Sequence, residues 1–432
     1  MNFNNVKDEM AKHKAISSIE QNRSEIKLFE FGISFLDMHI KNVLNVSEAS
    51  YEQVSLSFIP VVSFILSHAG IKDVASYMLD FSVSGSGKSH TLSLHTNLLL
   101  DSISKEQEVL QQNVTEEDET KRYMNLHRAA KITTPALYQC IQTTPSQLVI
   151  IDEIGLLLAR DDELVSELTK LYGSKQAAVP VLKTEIASKK SVIPVAMNFI
   201  GASTLSYFTT KSLVKHLSGG FVNRCWIAFN NELIDPSEIT SIKPDTLDYE
   251  LSNKIAFDLF KFVKSCSISF HYCSLAESKL LEFKKEIQSI KIKYHEMGTE
   301  FGSFYNRTFQ NTQMLVRIIH CLKCFEKNTW FDEISETSVI IAISFVHKVA
   351  FKELDKLIHQ LSDGELLERE EIQKKKVIEF VRDFELNHSK MPKIRDISQK
   401  TRLSKAQILD LTKDYLEVIP GSTVFRYCNN VH

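Results

Sequence analysis

The sequence predicts an α/β fold with a mainly parallel sheet, a helical N-terminal segment, a helical lid and a small C-terminal helix–hairpin unit. Three stretches carry this expectation. Tyr77–Phe81 is a short apolar run that stops at a Gly/Ser loop and restarts as a helix over Thr91–Leu100. Gln147–Glu153 is a second apolar run, closed by two carboxylates, and Pro194–Thr204 is a third that turns small and hydroxylated. Runs of this composition and length suit strands buried on both faces of a sheet covered by helices.

At 432 residues the chain has room for two to four domains. With 43% hydrophobic and 24% charged residues, 13 Gly and 9 Pro, its composition is that of an ordinary soluble globular protein. Seven cysteines are scattered, and the close pair Cys321 and Cys324 falls inside the amphipathic pattern Met314–Phe325. Core cysteines are therefore expected rather than a zinc or redox site. An odd count without a disulfide framework predicts a reducing, cytoplasmic setting. The first residues lack a basic region followed by an apolar core, so no signal peptide is expected. The most apolar stretch, Val54–Ile71, contains Pro60, several serines and His68, and suits a core helix ended at Gly70 rather than a membrane span.

The loop itself is Phe81-Ser-Val-Ser-Gly-Ser-Gly-Lys-Ser-His90. A strand that ends in small residues and resumes as a helix aims several backbone N–H groups and the positive end of the helix dipole at one point, which suits a polyphosphate. Ser84, Gly85, Ser86, Gly87, Lys88, Ser89 and His90 then form a cradle. Lys88 reaches the β and γ phosphates, and the Ser89 hydroxyl ligates Mg2+. The stretch departs from the P-loop pattern G-x-x-x-x-G-K-[ST] at Ser82, where the first glycine belongs; Gly85 and Gly87 still supply conformational freedom. Alone, the loop is also compatible with a Gly/Ser surface turn. The acid pair narrows that choice, because ligands in open α/β sheets bind beyond the carboxyl ends of the strands. Asp152 is expected to hold Mg2+ and Glu153 to polarise an attacking water.

Along the rest of the chain, residues 1–50 are rich enough in Leu, Phe and Ile to be helical, as a collar or as an outer layer of the core. Ser55–Ala69 follows as a helix ahead of the first strand. Glu106–Arg122 is expected to be an exposed helix or loop, and Lys131–Ile141 a helix with Thr134 as its cap before Pro135. Glu163–Tyr172 is a further helix ending at Gly173. Between Gln176 and Lys190 a lysine-rich excursion offers Lys183, Lys189 or Lys190 to a nucleic-acid backbone; a solvated hairpin explains it equally. In the third strand Asn198, Ser203 or Thr204 offers a polar group to a γ phosphate. Arg224 stands after the corner Gly219-Gly220, where a guanidinium can stabilise a transferring phosphoryl group in its own subunit or a neighbour's.

Together, Ser84–Ser89, Leu148–Glu153, Asn198–Thr204 and Gly219–Arg224 resemble the AAA+ type ATPase domain of phages, plasmids and other mobile genetic elements, akin to superfamily 3 viral helicases. The likeness covers about residues 50–360. It implies a P-loop NTPase core over 51–235, a helical lid over 236–364, ATP and Mg2+ as cofactors, and a homo-oligomeric ring such as a hexamer. By the same resemblance Arg317, or second to it Arg307, is a further sensor of nucleotide.

The last segment, 365–432, is the basic one. From Ile372 to His432 there are 12 Lys and Arg against 7 Asp and Glu, a net +5, while the rest of the chain carries −8. Glu370–Leu386 reads as a helix, Met391–Tyr415 as two short helices with Ser404 as a cap, and Leu416–Tyr427 as two strands about Pro420-Gly421. That layout is a winged helix. Lys405 and Gln407 would enter a major groove, with Lys413 and Arg426 on phosphates. The expected function is an ATP-dependent DNA helicase or replication initiator, its C-terminal unit on origin DNA. An ATP-regulated DNA-binding switch and an NTPase acting on protein partners are the alternatives.

Overall fold

A computed structural model describes residues 29–71, 73–97, 126–129, 133–143, 146–155, 162–173, 176–180, 190–204, 216, 220–230, 249–388, 390–401, 408, 416–418 and 425–427. These form a mixed α/β protein, mostly helical, with a small five-stranded parallel sheet.

The strands of the first half are β1 (Tyr77–Asp80), β2 (Leu126–Ala129), β3 (Ser146–Asp152), β4 (Gln176–Pro180), β5 (Lys190–Pro194), β6 (Ala196–Ala202) and β7 (Cys225–Ala228). Five of them build the sheet in the order β2-β3-β6-β1-β7, and every neighbouring pair is parallel. Its register brings the carboxyl ends level: Asp152 lies opposite Ala202, Ala202 opposite Asp80, and Asp80 opposite Ala228. The carboxyl ends of these strands therefore share one rim. β4 and β5 pair with each other as a separate antiparallel ribbon.

Helix α1 (Ser34–Val46) leads into α2 (Tyr51–His68), which is buried from Gln53 to Ser67 and packs against β1, β3, β6 and β7. A helix apolar on every side belongs inside a core. Its serines are reconciled with burial by hydrogen bonds: Ser57 Oγ donates to the Gln53 carbonyl at 2.6 Å, Ser63 Oγ to the Val74 carbonyl at 2.6 Å, and Ser67 Oγ lies 2.6 Å from Ser146 Oγ. Helix α3, residues 88–97, follows the Gly/Ser loop. α4 (Thr134–Thr143) and α5 (Asp162–Leu171) are further helices among the described residues of this half.

The second half is helical: α6 (Tyr249–Ser265), α7 (Ser274–Glu296), α8 (Thr308–Glu326), α9 (Glu336–Phe345), α10 (Phe351–His388) and α11 (Ile394–Thr401). Two-residue strands β8 (His271–Tyr272) and β9 (Glu333–Ile334) pair in parallel, and β10 (Leu416–Val418) pairs antiparallel with β11 (Phe425–Tyr427). One continuous core runs from Phe31 to Leu361, and a small second one gathers Val377, Val381, Ile394, Ile397 and Ile408. Among the described residues no helix is long and apolar enough to cross a membrane.

Several boundaries differ from those the sequence predicts. α2 begins at Tyr51 because Ser50 and Gln53 close a capping box there. The Ala136 amide takes its cap from Thr133 Oγ1 rather than from Thr134. β6 begins at Ala196, since Lys190–Pro194 belongs to the ribbon. α10 runs unbroken across the boundary expected at 364/365.

Candidate functional site

The Gly/Ser loop sits on the rim directly beyond β1. Gly85 (φ 87°) and Gly87 (φ 77°) occupy the left-handed region that side chains resist. At Gly87 a Cβ would also come within 2.9 Å of the Ala49 amide nitrogen, so this glycine admits the α1–α2 linker against the loop. Ser82 is not among the positive-φ residues, and a serine fits there without strain. Its amide donates to Asp80 Oδ1 at 2.9 Å, its hydroxyl donates to the same oxygen, and its Oγ accepts from the Asn230 amide at 3.2 Å.

Lys88 Nζ donates to the Val83 carbonyl at 2.8 Å and to the Ser82 carbonyl. Partial burial lowers its pKa, while the nearby Asp80 carboxylate opposes that shift. Asp80 is itself pushed up by burial, against hydrogen bonds from Ser82 and Gln53 and the field of Lys88. Ser86 turns inward, where Gln53 Nε2 donates to its Oγ at 3.3 Å.

The acids arrive from β3. Asp152 is its last residue, and Glu153, exposed, follows at φ 62°. A left-handed glutamate is an uncommon, strained conformation of the kind that concentrates at functional sites. From β6 comes Ser203, whose amide donates to the Asp80 carbonyl at 2.8 Å and carries the hydrogen-bond ladder one step past the strand. Thr204 follows it.

These three segments meet in one cavity of about 950 Å³. Its walls include Ser84, Gly85, Gly87, Lys88, Ser89 and His90 from the loop and helix start, Asp152 and Glu153 from β3, and Ser203 and Thr204 from β6. Phe229, just past β7, and Gln360, from α10, close it. The volume suits a nucleotide-sized ligand. Hard oxygen donors on Ser89 and Asp152 match Mg2+, which binds through one or two side chains plus ligand phosphates rather than in an all-protein cage. Among the described residues no group of three His, Cys, Asp or Glu could hold a metal ion.

Other expected residues lie elsewhere. Asn198 is fully buried near the amino end of β6, opposite Leu148; it accepts from the Ser76 amide at 3.0 Å and donates to Ser67 Oγ and the Gln147 carbonyl, both at 3.2 Å. It braces the far end of the sheet. Arg224 precedes β7, and its neighbour Cys225 pairs with Tyr77 at the amino end of β1, so Arg224 is a strand's length from the loop of its own chain. Its Nη1 donates to the Gly220 carbonyl, and its guanidinium lies 5.8 Å from the Tyr172 ring centre. Arg317 Nη1 donates to the Asp73 carbonyl at 3.0 Å, also at the amino end, and Arg307 Nη1 donates to Gln310 Oε1 at 3.0 Å. Lys183, Lys405, Gln407 and Lys413 lie outside the described residues, and Arg426 stands opposite Glu417 in the β10–β11 ribbon.

Gln53, Asp80, Phe229 and Gln360 join the site without a motif in the sequence to mark them. Two left a trace: Asp80 is a carboxylate inside an apolar run, and Ser50 with Gln53 has capping-box spacing. The chain matches no family model, and no curated protein matches it.

Proposed function

We propose that this chain is a P-loop ATPase of the AAA+ type, akin to superfamily 3 helicases, that uses Mg-ATP to act on DNA as a helicase or replication initiator of a mobile genetic element. The convergence of Lys88, Ser89, Asp152, Glu153, Ser203 and Thr204 in one cavity carries this reading, because these groups come from three separate segments and each matches a distinct need of phosphoryl transfer. The strand order supports it further. β6 lies between β1 and β3, so its hydroxylated end sits between the loop and the acids.

In this reading the loop N–H groups and the amino end of α3 hold the phosphates. Lys88 exchanges its carbonyl partners for phosphate oxygens. Ser89 and Asp152 hold the metal, which when bound screens the phosphate charge and polarises the γ phosphoryl group. Glu153 orients a water and takes up its proton, and Ser203 or Thr204 contacts the γ phosphate. Arg224, remote from its own loop, serves the site of a neighbouring copy. Gln360 is the helical lid's contribution.

The DNA assignment rests on the net +5 of the last 61 residues and is supported by their separate small core and antiparallel ribbon, which suit a winged helix. Wild-type protein should hydrolyse Mg-ATP and Lys88→Ala should not; absence of nucleotide uptake by the wild type would remove the assignment. Strand displacement on forked DNA then separates a motor from a switch that binds DNA and leaves the duplex intact.

A further inference from the structure

Beneath the loop lies a buried polar network that the chemistry above leaves unused. Asp80, 4% exposed, ends β1. One of its oxygens takes the amide and hydroxyl of Ser82; the other, Oδ2, accepts from Gln53 Nε2 at 3.1 Å. The same Nε2 donates to Ser86 Oγ at 3.3 Å. At the opposite end of the amide, Gln53 Oε1 accepts from the Ser50 amide at 3.0 Å, while Ser50 Oγ accepts from the Gln53 amide at 3.2 Å.

The Gln53 side chain is therefore divided between two tasks, its oxygen given to the helix cap and its nitrogen to the loop. Glutamate, the other residue used in capping boxes, would serve the cap equally well and offers no donor to Asp80 or Ser86. The cap alone does not call for glutamine; the loop does. The surrounding contacts tighten the same joint, with Ser47 Oγ 2.6 Å from Thr91 Oγ1 in α3 and the Ala49 amide against Gly87.

We propose that Asp80 and Gln53 are positioning residues of the polyphosphate site: Asp80 anchors the loop where serine replaces the usual glycine, and Gln53 ties Ser86 to the same carboxylate. The proposal rests on the P-loop reading and adds the device that holds the loop N–H groups in place before a ligand arrives. Donors ordered in advance lose less freedom on binding, so the network acts on affinity.

The test is calorimetric titration of the full chain with Mg-ADP and Mg-ATP. Gln53→Glu keeps the cap, removes the amide donor to Asp80 and sets a second carboxylate against it; affinity should fall about tenfold or more, with thermal stability read in parallel. Adding Asp80→Asn exchanges the two groups, so the new amide donates to the new carboxylate, and affinity should return to within about threefold of wild type. Ser86→Ala, which alters the loop end alone, should weaken binding about three- to tenfold and reads the same link if Gln53→Glu does not fold. If the wild type takes up no nucleotide, the P-loop reading falls and this proposal with it. If the wild type binds, Lys88→Ala does not, and Gln53→Glu binds like wild type or the exchange gives no recovery, this proposal alone is overturned.

Discussion

The Phe229 amide donates to Glu353 Oε2 at 2.8 Å, joining the rim of the sheet to α10 across 124 residues. Glu353 is fully buried, its pKa raised by burial, and its other oxygen accepts from Lys356 Nζ at 2.6 Å. The preceding residue, Lys352, pairs through its Nζ with Glu52 Oε1 at 2.7 Å. α10 is thus pinned beside the cavity that Phe229 and Gln360 close. Glu353→Ala strands a buried backbone donor, and should lower unfolding free energy by about 2–3 kcal/mol in urea melts. Glu353→Gln keeps an acceptor and should cost about 1 kcal/mol or less. A loss of equal size in both would show that the amide bond is not what matters.

Glu153 predicts an opposition between stability and activity. Its φ of 62° suits glycine, so Glu153→Gly should raise stability by about 1 kcal/mol while abolishing hydrolysis. Glu153→Gln should retain nucleotide binding and lose about 10²–10⁴-fold in turnover. Steady-state phosphate release and equilibrium titration of the same preparations check both, and a Glu153→Gln protein with wild-type turnover would remove Glu153 from the mechanism.

His39 Nε2 and His95 Nδ1 lie 2.9 Å apart in the core, with Ser57 Oγ 3.0 Å from His95 Nε2. Burial depresses both pKa values, that of His95 to about 3, and the two rings disfavour a shared positive charge. The folded values lie below the ordinary 6.5, so the unfolded chain binds protons first. Stability is therefore complete above about pH 6.5 and falls as pH drops toward 3. His95 alone should remove about 2 kcal/mol between pH 7 and 5. His68, depressed to about 4 by burial, adds to the same slope. Urea melts at the two pH values measure it; His95→Gln should flatten the slope, and an unchanged slope would refute the assignment.

The loop and the acid pair were legible because their chemistry is local: Lys88 and Ser89 follow their glycine directly, and Asp152 and Glu153 close one apolar run. What was not legible depended on which end of a strand a residue occupies. Asn198 and Thr204 look alike as polar residues in the third run, but the register puts Asn198 opposite Leu148 and leaves Thr204 past the carboxyl end. Arg317 sits on an amphipathic helix whose pattern says nothing of the Asp73 carbonyl it reaches across 244 residues. β2 was missed because Leu-His-Arg-Ala has no apolar period; its pairing with β3 makes it an edge strand. Gln360 reaches the cavity only because α10 folds back onto the rim, which no local signal encodes.

Arg224 tests whether the site is shared between copies. Its own loop lies at the opposite end of the strands, so a catalytic role requires a neighbour's nucleotide. Arg224→Ala should bind Mg-ATP normally and fail to hydrolyse it, while Lys88→Ala fails to bind. In an equal mixture, an interface that joins an intact Lys88 site to an intact Arg224 arises at random in one of four pairings, so roughly a quarter of wild-type activity should return. That recovery separates the shared-site role from a purely structural one, because the Gly220 carbonyl and Tyr172 ring contacts of Arg224 are internal to one chain and no partner can restore them. Co-assembly of the two variants without recovered hydrolysis would leave Arg224 as a brace at the amino end of β7.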